Sequence, residues 1–108
     1  MPQYLGRFTY SADSVRAMIR EPQDREAAAR EVAESLGGRL LGLWFALGEF
    51  DGVFIVELPD NATATALAMI VGGSGAMTAF ETTALLGMDE AQEAMRKAAS
   101  AAYRAPGG

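Results

Sequence analysis

The chain has 108 residues, half of them hydrophobic, and a formal net charge of −5 from nine Lys or Arg against fourteen Asp or Glu. It contains no His and no Cys, which removes imidazole acid–base catalysis, thiolate nucleophiles, disulfides and the usual ligands of zinc, copper and iron. The acidic balance and the scattering of the basic residues argue against nucleic-acid binding, which needs clustered Lys and Arg to displace counterions.

The length suits one domain, expected over 1–108 with a core of about 3–86. "QYLGRFTY", residues 3–10, alternates and is rich in aromatics, so it reads as a strand, with Tyr4, Phe8 and Tyr10 on one face and Leu5, Arg7 and Thr9 on the other. Ser11 is placed to cap a helix carrying Val15, Met18 and Ile19. Pro22 interrupts it and suits the first turn of a second helical segment, whose stripe is Ala28, Ala29, Val32, Ala33 and Leu36 and whose stop is Gly37-Gly38.

"RLLGLWFAL", residues 39–47, is a nearly continuous apolar run of strand length. "GEFD", residues 48–51, makes a bend, and "GVFIVEL", residues 52–58, forms the next strand, so the two strands make a hairpin. Strict alternation puts Leu41, Leu43, Phe45 and Leu47 on one side of the first of these and Leu40, Trp44 and Ala46 on the other; in the second, Phe54, Val56 and Leu58 oppose Val53 and Ile55. Asp60 or Asn61 caps a helix to about Val71, "GGSG" at 72–75 ends it, and 76–86 reads as a fourth strand. Asp89 is expected to cap a final helix over about 89–103, followed by a tail, 104–108.

The order β–α–β–β–α–β plus one helix is the ferredoxin-like α+β arrangement: a four-stranded antiparallel sheet with helices on one face. Both sides of the central strands are oily, and the helices cover only one. The uncovered face would expose more apolar surface than monomers usually do, so a homodimer or higher homo-oligomer is expected. No apolar stretch approaches the roughly 20 residues needed to span a bilayer and no targeting pattern precedes Tyr4. The expectation is a cytoplasmic protein that needs no metal or cofactor and has no nucleic-acid or membrane partner.

"Gly48-Glu49-Phe50-Asp51", followed by a strand and "Glu57-Leu58-Pro59-Asp60", resembles the signature of the GYD-domain family. The upstream landmarks agree: Tyr10-Ser11 opening the first helix, Pro22, Arg25 and Ala28, then Gly37-Gly38-Arg39 before the second strand. The resemblance implies a ferredoxin-like subunit related to the dimeric α+β barrels, and says little about activity. Phe50 stands where the family pattern leads one to expect Tyr, so chemistry at that hydroxyl is closed to this chain.

Five residues are candidates for a ligand pocket. Asp51, flanked by Gly48 and Gly52, reads first as a turn residue that hydrogen-bonds nearby backbone; the alternative is an acceptor at a pocket mouth, with Phe50 as an apolar wall. Glu57 shares a face with Val53 and Ile55. It either reaches water at the strand end or is a carboxylate of raised pKa able to act as acid or base. Trp44 and Tyr10 read first as core or interface; the alternative is the lining of a cavity. Two functions remain open. One is a homo-oligomeric α+β barrel binding a small, largely apolar molecule, with Asp51, Glu57 or Tyr10 carrying any proton transfer. The other is a non-catalytic assembly protein whose sheet face serves only oligomerisation.

Overall fold

The computed structural model describes residues 1–107. Its elements run β1 (Gln3–Tyr10), α1 (Ala12–Arg20), α2 (Arg25–Ser35), β2 (Arg39–Phe45), β3 (Gly52–Glu57), α3 (Asn61–Gly73), β4 (Met77–Leu85) and α4 (Met88–Ala99). The four strands form one antiparallel sheet in the order β2-β3-β1-β4. This is the ferredoxin-like α+β fold: β1 and β3 are the central strands, and each half supplies a helical crossover.

Local chemistry sets most boundaries where the sequence places them. Ser11 caps α1 by accepting the Ser14 amide at 3.2 Å. Gly37, at φ 78°, ends α2, with the Gly38 amide bonded to the Ala33 carbonyl and the Gly37 amide to that of Glu34. That pair of bonds is a Schellman stop, and the positive φ is why glycine stands there. Asp60, not Asn61, caps α3, accepting the Thr63 amide at 2.8 Å; Asn61 instead accepts the Tyr4 hydroxyl at 2.6 Å and ties α3 to β1.

Three expectations are corrected. Helix α2 does not begin at Pro22: the Asp24 carboxylate accepts the Glu26 and Ala27 amides, so the helix starts at Arg25. Asp89 does not cap α4. Extended Gly87 holds that position, its carbonyl taking the Ala91 amide, and Asp89 sits in the first turn facing the positive end of the helix dipole. The alternation of β2 also fails, because a bulge between Leu40 and Gly42 inserts one residue. Leu40 pairs with Val56 and Leu43 with Phe54, so Leu40 and Leu43 share the helix-covered face, while Trp44 pairs with Val53 on the other.

The core lies between the sheet and α2 and α3. Tyr4, Phe8, Tyr10, Leu40, Phe54 and Val56 from the strands, with Leu58 after β3, pack with Ala33, Ala64 and Leu67. Two aromatics lie across glycines on the neighbouring strand: Phe54 opposite Gly6 and Phe8 opposite Gly52. A Cβ on either glycine would overlap the ring it faces, so the absence of a side chain lets both rings lie flat on the sheet.

The opposite sheet face carries Leu5, Arg7, Thr9, Val53, Ile55, Glu57 and Trp44, and among the described residues no helix packs over it. Helix α4 packs substantially on no other element and buries none of its residues. The radius of gyration is accordingly 17.7 Å, against ~13 Å for a compact chain of this length.

Candidate functional site

A cavity of about 230 Å³ lies on the helix-covered face. Its floor is aromatic: Phe8 packs edge-on against Tyr10 with ring centres 5.1 Å apart, and Phe54 lies 6.2 Å from Phe8 and 5.7 Å from Phe80. Its roof comes from α2, through Ala28, Ala29, Val32 and Ala33, and from α3, through Leu67, Ile70 and Val71. The space has a sequence cause. Flat rings over Gly6 and Gly52 meet a helix face built of alanines, and side chains of that size do not reach far enough to fill the gap.

Three polar side chains belong to this lining, Tyr10, Arg25 and Ser74, and the Ser74 hydroxyl is committed to the Val71 carbonyl and the Ala76 amide. Tyr10 is 8% exposed. Its burial pushes the phenol above its ordinary pKa; the nearby Arg25 guanidinium pulls the other way, and the Asp51 carboxylate adds to the rise. Arg25, the first residue of α2, donates from Nη1 to Gln23 Oε1 at 2.9 Å. Among the described residues it is the one basic residue that is half-buried, the others being exposed.

A second, more open hollow of about 460 Å³ lies between α1 and the β2–β3 bend, lined by Tyr10, Val15, Met18, Ile19, Phe45, Ala46, Leu47 and Asp51. The Asp51 carboxylate accepts the Tyr10 amide at 2.9 Å. Its own amide donates to Phe8 O at 2.9 Å, and its carbonyl accepts from Ala46 at 2.8 Å. The Asp51 side chain and amide thus bond to β1, far along the chain, while its carbonyl closes the bend back to Ala46.

Of the five sequence candidates, Tyr10 lines the inner cavity and, with Asp51, the outer hollow. Trp44, Phe50 and Glu57 line neither. Trp44 is 52% exposed and lies against Gly42 on the uncovered face. Phe50 sits under the Arg7 guanidinium, 4.8 Å from the ring centre, a cation–π contact and not a pocket wall. Glu57 is engaged by Arg39 directly across the β2–β3 pair, at 3.0 Å from Nε and 2.7 Å from Nη2. The residue that sequence reasoning left out is Arg25. It stood among the landmarks of the resemblance, and its only other signal was a basic side chain one position past a helix cap.

The architecture is that of a ferredoxin-like α+β domain with an apolar cavity between sheet and helices. The chain belongs to the GYD-domain family, whose model matches residues 4–95. Among solved structures, it is similar to the crystal structure of MtbAldR, with a TM-score of 0.53 and 14% identity over 80% of this chain and 52% of that one. It is also similar to the crystal structure of FFRP-DM1, with a TM-score of 0.45 and 11% identity over 80% of this chain and 100% of that one. The chain therefore spans about half the length of MtbAldR, and that likeness speaks to fold alone. No curated protein matches the sequence. No helix among the described residues is long and apolar enough to cross a membrane.

Proposed function

We propose that the protein is a homodimer that binds a small, largely apolar molecule between its sheet and helices. The observation that carries this reading is the cavity of about 230 Å³ over the Phe8–Phe54–Phe80 floor. Pockets for drug-sized ligands run from about 300 to 1,000 Å³, whereas an apolar cavity of about 150 Å³ takes benzene. The space suits one ring with a short substituent. The test is titration with toluene, followed by the chemical shifts of the floor aromatics. Saturable shifts that vanish when Ala29→Phe fills the cavity support the reading; no saturable shift overturns it.

Dimerisation is supported by what the chain leaves uncovered. Trp44, Leu41, Val53 and Ile55 lie on β2 and β3 with no helix over the face that bears Trp44, and α4 carries Met88, Ala91 and Met95 in one stripe away from the body. A second copy laid face to face hides both, and the standard interface of about 800 Å² per subunit is of that scale. Sedimentation equilibrium should give twice the chain mass, with Ile55→Lys reverting it to the single mass. A monomer at every concentration overturns this part and leaves the cavity reading standing.

A further inference from the structure

We infer that the inner cavity is built for a small carboxylate: a single-ring acid whose apolar part rests on the aromatic floor and whose anionic end meets Arg25 and the Tyr10 hydroxyl. This deepens the reading of the cavity as a ligand site and rests on it.

Arg25 carries an unpaired charge. Arg7, Arg16, Arg30, Arg39 and Arg96 each form an ion pair, and all are exposed. Arg25 is half-buried, yet among the described residues it has no acidic partner at ion-pair distance; its hydrogen-bond acceptor is the neutral amide of Gln23. The nearest acids in sequence are committed elsewhere, Asp24 to the α2 amides and Glu26 to Arg30. Taking a cation even partly out of water without a counter-ion carries a cost. The cost is recovered if the missing anion arrives with the ligand.

Position supplies the rest. Arg25 and Tyr10 both line the cavity, and the Arg25 guanidinium is near enough for its charge to act on the phenol. A guanidinium presents a planar fork that matches a carboxylate's two oxygens, and a phenol O–H adds a third donor. The remaining lining is almost wholly apolar, so a free inorganic anion would leave the aromatic floor unused. A neutral hydrocarbon would leave the charge unpaired. An arylacetic acid satisfies both.

The experiment measures binding of phenylacetate, its neutral isostere phenylacetamide and the cation 2-phenylethylamine by calorimetry and by floor-aromatic chemical shifts. Phenylacetate should bind at least tenfold tighter than phenylacetamide, the scale of one charge-assisted hydrogen bond, and the amine weakest of all. Arg25→Gln should remove the preference for the acid while leaving phenylacetamide unchanged. Arg25→Lys should keep part of it, and Tyr10→Phe should weaken the acid several-fold. The comparison of the three ligands on the unaltered protein stands whether or not any variant folds. Equal binding of acid and amide, or a preference that survives Arg25→Gln, overturns the carboxylate inference and leaves the cavity reading intact. If no aromatic probe binds, or if Ala29→Phe leaves binding unchanged, the cavity reading falls and takes this inference with it.

Discussion

The Asp51 carboxylate accepts the backbone N–H of Tyr10 at 2.9 Å, across 41 residues of chain. The bond forms where regular pairing runs out. β3 stops pairing with β1 at Phe8 opposite Gly52, and the β1–β4 register slips between Thr9 and Tyr10. The Asp51 side chain takes a strand amide at that slip, so the β2–β3 bend is held against the end of β1.

Asp51→Asn should therefore be nearly silent for the fold, because an amide oxygen can accept the same bond; a change of no more than about 1 kcal/mol is expected. Asp51→Ala leaves the Tyr10 amide half-buried and unmet, at a cost of about 1–3 kcal/mol. Urea denaturation of the two variants reads the difference. Equal losses in both would mean that the charge, not the acceptor, is what the fold uses.

How much of this was legible follows the range of each interaction. Ser11, Gly37 and the Asp60 cap act within one turn of helix, and their residue types announce them. The bulge in β2 is not local: nothing in Leu40-Leu41-Gly42 shows that β3 will oppose two residues with one, so the facing of Leu40 relative to Leu43 was misread. The same limit applies to the site. Tyr10 was legible as a large amphipathic residue in a strand, but its meeting with Arg25 depends on where α2 starts, and that was decided by Asp24 instead of Pro22. Glu57 looked costly on an oily face until Arg39 was seen opposite it.

Gly6 and Gly42 make a matched pair for testing packing. A side chain at Gly6 meets the Phe54 ring, which is 6% exposed and boxed in by Phe8 and Phe80. Gly6→Ala should cost about 1–3 kcal/mol by overpacking, and the displaced ring should intrude on the cavity and weaken toluene binding. At Gly42 the Cβ would stand 2.5 Å from the Trp44 ring, but that ring is half out in solvent and free to swing aside. Gly42→Ala should cost less than about 1 kcal/mol while shifting the emission of the chain's one tryptophan. A larger loss at Gly42 than at Gly6 would mean that Trp44 is anchored, as in a tight dimer interface.

Asp60 gives an acid-side prediction. Hydrogen bonds from the Thr63 hydroxyl and amide hold its carboxyl below its ordinary pKa. A lowered folded-state pKa means that the unfolded chain takes up the proton first. The contribution is fully present above the unfolded value and is lost as pH falls through the folded one. Stability of the unaltered protein should therefore decline with acid more steeply than that of Asp60→Ser, whose hydroxyl caps without titrating. Parallel curves for the two proteins would remove Asp60 from the acid response.

Tyr10 gives the alkaline counterpart, and it bears on the site. Burial raises the phenol above the ordinary 10.0, outweighing the opposing pull of Arg25. A raised folded-state pKa means that the unfolded chain loses the proton first, so the stability it contributes is intact below pH 10 and is lost as pH climbs through the folded value. In ultraviolet titration, one of the three tyrosines should ionise late, and Tyr10→Phe should abolish that late phase and flatten the alkaline loss of stability. A bound carboxylate would add a negative charge beside the hydroxyl and occupy the guanidinium that now favours the phenolate. Phenylacetate should therefore delay the late phase further, while phenylacetamide, carrying no charge, should move it less. A late phase that moves earlier on adding phenylacetate would place the anion away from Tyr10 and contradict the arrangement proposed for the cavity.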